Sequence, residues 1–291
     1  MANCVADSGN RYILTCSCPD VRGIVAAVTG FVAESDGFII ESAQFGDPST
    51  CQFFLRMEFA AGPDTPTYPA LKEAFAKQIA TRFDMCWQLV DKSTTPRVLI
   101  MVSRESHCLS DLLHRVETGG LQMEVPAIVS NHADLEHIAQ RHQIPYYHFS
   151  MDQGKEAQEK QVLGLVEELN IDLIILARYM QILSDGMCSK LEGQAINIHH
   201  SFLPSFKGAK PYEQAYGRGV KLIGATAHYV TCDLDEGPII EQEVARVDHS
   251  KSPSELATIG RDIEKITLAR AVQYHLEHRV VLNGKKTVVF R

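Results

Sequence analysis

From residue 98 onward the chain alternates short apolar runs with helix-like stretches so regularly that few folds can accommodate it. Strand patterns at 98–102, 124–130, 146–149, 173–176 and 195–199 are separated by helical patterns at 110–117, 134–141 and 156–169. Short apolar strands with helices between them imply right-handed crossovers. The pattern therefore predicts an α/β, Rossmann-like domain around a mostly parallel sheet. A hairpin at 222–230 and 239–244, a long helix at 253–277, and a tight turn at Asn283-Gly284 before 287–290 complete it.

The first ninety residues read differently. A β-rich run at 11–18 meets the turn Pro19-Asp20-Val21-Arg22-Gly23, and apolar residues then recur at helical spacing over 24–34. Two β-rich runs, 37–45 and 51–59, flank Gly46-Asp47-Pro48-Ser49, followed by a helix at 68–82 and a strand at 85–90. The order βαββαβ predicts a ferredoxin-like antiparallel sheet with two helices on one face. The polar stretch Asp91-Lys-Ser-Thr-Thr-Pro96 divides the patterns, giving expected domains at 9–91 and 96–291. A chain of 291 residues has room for two cores.

Composition removes several classes of partner. The 28 Lys+Arg stand against 36 Asp+Glu, a net charge of −8, which disfavours nucleic acid or an anionic membrane as a main partner. The longest apolar stretch, near 23–33, falls short of the ~20 residues that span a bilayer. Neither a basic start nor an apolar h-region marks the N-terminus as a secretory signal, so a cytoplasmic location is expected. Eight scattered cysteines with no Cys-x-x-Cys read as reduced thiols. His132, His137 and His142, five apart, spread around a helix, adjacent His199 and His200 face opposite ways in a strand, and the surroundings of His275 and His278 suggest a solvated surface. No metal is expected. Dinucleotide, P-loop and nucleophile-elbow motifs are absent as well.

The densest polar cluster begins at the end of a strand, in Ile196-Asn197-Ile198-His199-His200-Ser201-Phe202-Leu203-Pro204-Ser205-Phe206-Lys207-Gly208. Asn197 and His199 are two apart, so an amide donor and an imidazole share one face at the strand's carboxyl end, where open parallel sheets bind ligands. The segment His228-Tyr-Val-Thr-Cys-Asp-Leu-Asp235-Glu-Gly-Pro238 links the hairpin strands through an acidic loop, which could bring Asp233 or Asp235 to the imidazole. An oxyanion donor, a cationic acid and a proton relay are what attack on a carbonyl carbon requires. Taken alone, the same residues could instead cap turns and fill hydrogen bonds in a core.

These segments, together with Ala177-Arg-Tyr-Met-Gln-Ile-Leu183-Ser, resemble the three signature stretches of the formyltransferase fold that uses 10-formyltetrahydrofolate, over residues 96 to 291. Residues 9–91 resemble an ACT domain, with Pro19-Asp-Val-Arg-Gly23 where such domains often bind an amino acid. That tandem resembles hydrolases that release formate and tetrahydrofolate from 10-formyltetrahydrofolate, supplying formate for purine biosynthesis and balancing one-carbon pools. The resemblance implies catalytic roles for Asn197 (formyl oxygen), His199 (oxyanion) and Asp235 (holding His199, positioning water and carrying protons to N10). Met180, Gln181, Leu183, Thr231, Cys232 and Asp233 would border the pterin, Gln181 replacing an arginine common in the glycinamide ribonucleotide enzymes. It implies no cofactor beyond the folate, an amino-acid effector at Asp20, Arg22 and Gly23, and a homo-oligomer formed through paired ACT sheets.

The acceptor divides the readings. Glycinamide ribonucleotide formyltransferases hold a phosphate on a glycine-rich loop after the first strand, whereas residues 102–111 here, Val-Ser-Arg-Glu-Ser-His-Cys-Leu-Ser-Asp, contain no glycine. Water is the expected acceptor, with Ser103, Arg104 and Ser106 available to an anion. The alternatives are formyl transfer to an amine such as glycinamide ribonucleotide, and an amino-acid sensor with a degenerate second domain.

Overall fold

The computed structural model describes residues 10–204 and 211–291. The chain divides into two compact units. The first comprises Met1–Thr95 with Glu277–Asn283 and Val288–Arg291; the second comprises Pro96–Leu276 with Gly284–Thr287. The first break falls at the polar stretch ending in Pro96, and most of the tail groups with the first unit rather than with the domain it follows.

In the first unit, β1 (Arg11–Pro19), α1 (Ile24–Glu34), β2 (Gly37–Asp47), β3 (Gln52–Ala61), α2 (Tyr68–Phe75), a π-helical turn (Ala76–Ala80), α3 (Thr81–Phe83) and β4 (Cys86–Asp91) follow in order. The sheet runs β2-β3-β1-β4 with antiparallel neighbours, the ferredoxin-like arrangement that the element order predicts. Period-two alternation sends Tyr12, Leu14, Cys16 and Cys18 of β1 and Leu55, Met57 and Phe59 of β3 to one face, where they meet Ile24, Val28 and Phe31 of α1 and Leu71 and Phe75 of α2. Part of the second face is buried too. Arg56, 1% exposed, pairs with Glu41 at 2.7 Å and donates to the Glu277 carbonyl at 3.1 Å, while Arg279 binds Glu41 at 3.1 Å and Asn283 donates to Asp47 at 2.7 Å.

The second unit contains β5 (Arg97–Val102), α4 (His107–Glu117), β6 (Glu124–Ser130), α5 (Glu136–Arg141), β7 (Tyr146–His148), α6 (Lys155–Glu168), β8 (Leu173–Leu176), α7 (Asp185–Lys190), β9 (Ala195–His199), α8 (Pro211–Gly217), β10 (Leu222–Tyr229), β11 (Ile239–Arg246) and α9 (Pro253–Leu276). A short hairpin, β12 (Val280–Asn283) and β13 (Lys286–Val289), follows. The sheet runs β11-β10-β9-β8-β5-β6-β7. Strands β9 to β7 are parallel, and β10 and β11 are added antiparallel. Leu99, Met101, Ile174 and Leu176 pack with Val162 and Leu165 of α6 and Met187 of α7. Helices α4 and α9 pack together, and α9 lies along β9, β10 and β11. The chain steps from β5 to β6 and β7 in one direction and to β8 and β9 in the other. The loops after β5 and β8 therefore part at a topological switch point, where a crevice forms.

Two differences from the sequence reading bear on function. Helix α4 begins at His107 rather than at 110, which places that imidazole in the first turn. His275 is not on a solvated surface: it is half-buried, with Nδ1 2.7 Å from the Tyr229 hydroxyl. His278 is likewise half-buried, and burial lowers its pKa.

Candidate active site

The carboxyl end of β9 presents Asn197 and His199 beside β10, which runs antiparallel with His228 opposite Asn197 and Thr226 opposite His199. Thr226 then pins the chain beyond β9, donating to the Ser201 carbonyl at 2.9 Å and accepting from the Leu203 amide at 3.0 Å. Residues 205–208, the end of the polar cluster, lie outside the described residues.

The loop from β10 to β11 returns Asp235 to this edge. Asp235 lies 3.2 Å from His199 Nδ1 and 3.9 Å from His228 Nε2. Asp233, the other acidic candidate, is exposed, and its carbonyl accepts from the Thr231 hydroxyl at 3.1 Å. The loop closes tightly because Gly237 leaves no room for a side chain: a Cβ there would sit 1.7 Å from the Tyr229 carbonyl oxygen. Asp235 itself adopts a left-handed backbone, φ 57°, which costs an L-residue about 1 kcal/mol.

The hydrogen bonds assign proton positions. His228 Nδ1 lies 2.8 Å from the Tyr229 carbonyl, an acceptor only, so Nδ1 carries the proton. Its Nε2 then accepts from Asn197 Nδ2 at 3.3 Å. Burial lowers the His228 pKa and keeps the ring neutral. Asn197 is thereby turned with one N–H on His228. Burial by itself would raise the Asp235 carboxyl, but the hydrogen bond and charge of His199 outweigh it and hold Asp235 below the usual carboxylate range. His199 Nε2 is buried and has no hydrogen-bond partner among the described residues. A ring anchored through Nδ1 presents Nε2 to whatever occupies the site.

The expected pterin-bordering positions fall on two loops at this edge. Met180 is exposed, and its amide donates to Ser103 Oγ at 2.9 Å; Gln181 and Leu183 are half-buried. Ser184 caps α7, accepting from the Met187 amide at 3.2 Å. Thr231 is half-buried and Cys232 exposed, with Cys232 Sγ 3.7 Å from the Asp185 carbonyl, so the two loops adjoin. Ser103 does not offer an anion its hydroxyl, which is spent between Asn131 Oδ1 at 2.7 Å and the Met180 amide. In the first unit, Asp20, Arg22 and Gly23 are exposed in one turn, and Gly23 caps α1 with φ 95°. A Cβ on Gly46 would lie 2.7 Å from Asp20 Oδ2, so the turn rests against β2 at that glycine.

Sequence reasoning gave no role to His228. The signal was present in its spacing from Asp235, but pairing with Asn197 depends on the β9–β10 register, which a single sequence does not disclose. It also overlooked a second polar cluster. Glu264 of α9, its side chain 1% exposed, receives His107 Nε2 at 2.7 Å, Tyr212 Oη at 2.6 Å and Arg178 Nε at 3.4 Å. Burial pushes the Glu264 carboxyl up, but His107, Arg178 and Tyr212 together hold it down and ionised.

A parallel sheet with an Asn–His–Asp edge at its carboxyl end defines a class, and residues 96–272 match the family model described as formyl transferase. A formyltetrahydrofolate deformylase from Corynebacterium sp. (strain P-1) is 48% identical over 97% of this chain and 98% of its own. The crystal structure of a formyltetrahydrofolate deformylase from Burkholderia mallei is 52% identical, with a TM-score of 0.91 over 97% of this chain and 100% of that one. The chain belongs to the formyltetrahydrofolate deformylase family. A glycinamide ribonucleotide transformylase from Symbiobacterium toebii shares the formyltransferase part, at 27% identity and a TM-score of 0.65 over 68% of this chain and 95% of its own.

Proposed function

We propose that the protein hydrolyses 10-formyltetrahydrofolate to formate and tetrahydrofolate, with Asn197, His199 and Asp235 as its catalytic groups. The reading rests on one observation above all: His199 is anchored to Asp235 through Nδ1 and leaves a buried Nε2 with no partner among the described residues, on the strand face it shares with the Asn197 amide. These donors suit the oxygen of a formyl group, whose negative charge grows as a nucleophile adds.

Water adds to the formyl carbon, forming a C–O bond, and the oxyanion is held by His199 Nε2–H and the Asn197 amide. Asp235 takes a proton from the water and passes it to N10. The C–N10 bond then breaks, its electron pair going to the protonating nitrogen, and formate leaves with the second proton lost to solvent. His228 orients Asn197 throughout. Met180, Gln181, Leu183, Thr231, Cys232 and Asp233 border the pterin.

No metal enters this scheme. His107, Cys108 and Glu264 bring three donor atoms within 4.8 Å of one another. The Arg178 guanidinium already sits 3.4 Å from Glu264, and burial holds the Cys108 thiol protonated. A divalent cation needs thiolate and carboxylate without a competing cation. Turnover unchanged by a chelator supports this; loss of turnover restored by a metal overturns it.

The first unit is read as an ACT domain that binds an amino acid at Asp20, Arg22 and Gly23 and pairs with a second copy. Support comes from its βαββαβ order and its exposed turn ahead of α1. No described helix is long and apolar enough to cross a membrane. The seven described cysteines are free thiols, which favours a cytoplasmic location, and the formate supplied would serve purine synthesis and one-carbon balance. Incubation with 10-formyltetrahydrofolate and no amine should yield formate. Turnover only when glycinamide ribonucleotide is added would make the protein a transferase. Calorimetry with a panel of amino acids should show binding to the first unit, and its absence would leave that unit an assembly module.

A further inference from the structure

The catalytic trio leaves open why a fold shared with a glycinamide ribonucleotide transformylase should pass its formyl group to water. The geometry around Arg178 supplies a reason. In β8 and β9, Ile174 pairs with Ala195 and Leu176 with Asn197. Arg178 follows the carboxyl end of β8 by two residues, as His199 follows Asn197 in β9. Arg178 leaves β8 with a left-handed backbone, φ 65°, an uncommon conformation for a residue with a long side chain.

Among the described residues its guanidinium has one ion pair. Glu264 pairs with Nε at 3.4 Å, and Glu264 is itself fixed by His107 at 2.7 Å and Tyr212 at 2.6 Å. Tyr212 lies hard against α9, where a Cβ on Gly260 would come 1.9 Å from its hydroxyl oxygen. His200 joins this cluster to the catalytic ring: its centroid is 5.2 Å from that of His199 and 6.3 Å from that of Tyr212. Yet Arg178 Nη1 is buried with no hydrogen-bond partner among the described residues, and Nε has only the long ion pair to Glu264. A purely structural ion pair is stabilised by satisfying all such donors, so a donor left over in a cluster that adjoins the His199 ring through His200 is available to a ligand.

We infer that Arg178, braced by Glu264, His107 and Tyr212, selects the acceptor by donating to the attacking nucleophile. The inference rests on the hydrolytic reading. Lone pairs decide it. A water oxygen has two, so it can accept from Arg178 and still attack the formyl carbon with the other. A neutral amine has one, and spending it on Arg178 abolishes its nucleophilicity. A protonated amine is repelled by the guanidinium. Arg178 therefore positions water and excludes amines, whereas a transferase requires this position to be vacated.

The test gives the full-length enzyme 10-formyltetrahydrofolate with glycinamide added, and quantifies formate and N-formylglycinamide by mass spectrometry. The wild type should release formate alone. Arg178→Gly, which suits the left-handed backbone, should raise the formylglycinamide share at least about tenfold, while Arg178→Lys, which keeps the charge and donors, should not. A folded Arg178→Gly protein that partitions as the wild type does, or an Arg178→Lys protein that partitions as Arg178→Gly does, overturns the inference. Failure of the wild type to release formate with water alone would instead remove the hydrolytic reading itself.

Discussion

The carboxylate of Asp235 stands 3.2 Å from His199 Nδ1, although His199 ends β9 and Asp235 reaches it from the β10–β11 loop through a left-handed backbone. That pair anchors the ring and leaves Nε2 without a hydrogen-bond partner among the described residues. Asp235→Asn should lower kcat by about 10²-fold or more with little change in KM, because the proposed mechanism loses its proton acceptor while the ring stays in place. Steady-state kinetics check this; near-normal kcat would remove Asp235 from the proton path.

His228 acts one step back, through the amide of Asn197 at 3.3 Å. His228→Phe frees that amide to rotate and should lower kcat about tenfold at constant KM. His228→Gln retains an acceptor and should recover most of the loss. Equal kinetics in the two variants would show that ring packing, not acceptance, is what matters.

Acid should weaken the fold before it reaches any carboxylate. Burial, followed by the Arg178 charge, lowers the His200 pKa from 6.5 to about 3, and burial also lowers His228. Both rings stay neutral when folded and take up protons when unfolded. The unfolded state thus binds more protons below pH 6.5. Stability is full above that value and falls as pH drops toward the folded values, by up to about 1.4 kcal/mol per pH unit for each ring. Asp235 adds its own loss only below its ordinary 3.8. Urea midpoints at pH 7 and pH 5 should therefore differ, and His200→Asn should reduce the difference. An unchanged difference would show that His200 is not the group responsible.

Gly237→Ala should displace the Asp235 loop, since the added methyl would lie 1.7 Å from the Tyr229 carbonyl oxygen. Backbone cannot yield cheaply, so a loss of about 1–3 kcal/mol of stability and a fall in kcat should appear together. Full activity with wild-type melting behaviour would mean the loop tolerates a side chain there.

Much of this architecture was written in local pattern. The strands Glu124–Ser130, Leu173–Leu176 and Ala195–His199 and the helix Ile24–Glu34 coincide with their sequence readings, because apolar periodicity and turn residues are properties of neighbours along the chain. Helices α7 and α8 were not foreseen: each is short, and neither Asp185–Lys190 nor Pro211–Gly217 carries enough apolar repeat to declare itself.

The sequence by itself determined two units divided near Pro96, an alternating sheet in the second, and Asn197 and His199 on one strand face, since spacing alone dictates them. Tertiary structure decided which acidic residue meets His199, what orients Asn197, and what surrounds Glu264. Asp235, His228, His107, Arg178 and Tyr212 arrive from separate elements, and their meeting depends on strand register, loop closure and helix packing. Those are relations between distant residues, for which local propensity carries no signal.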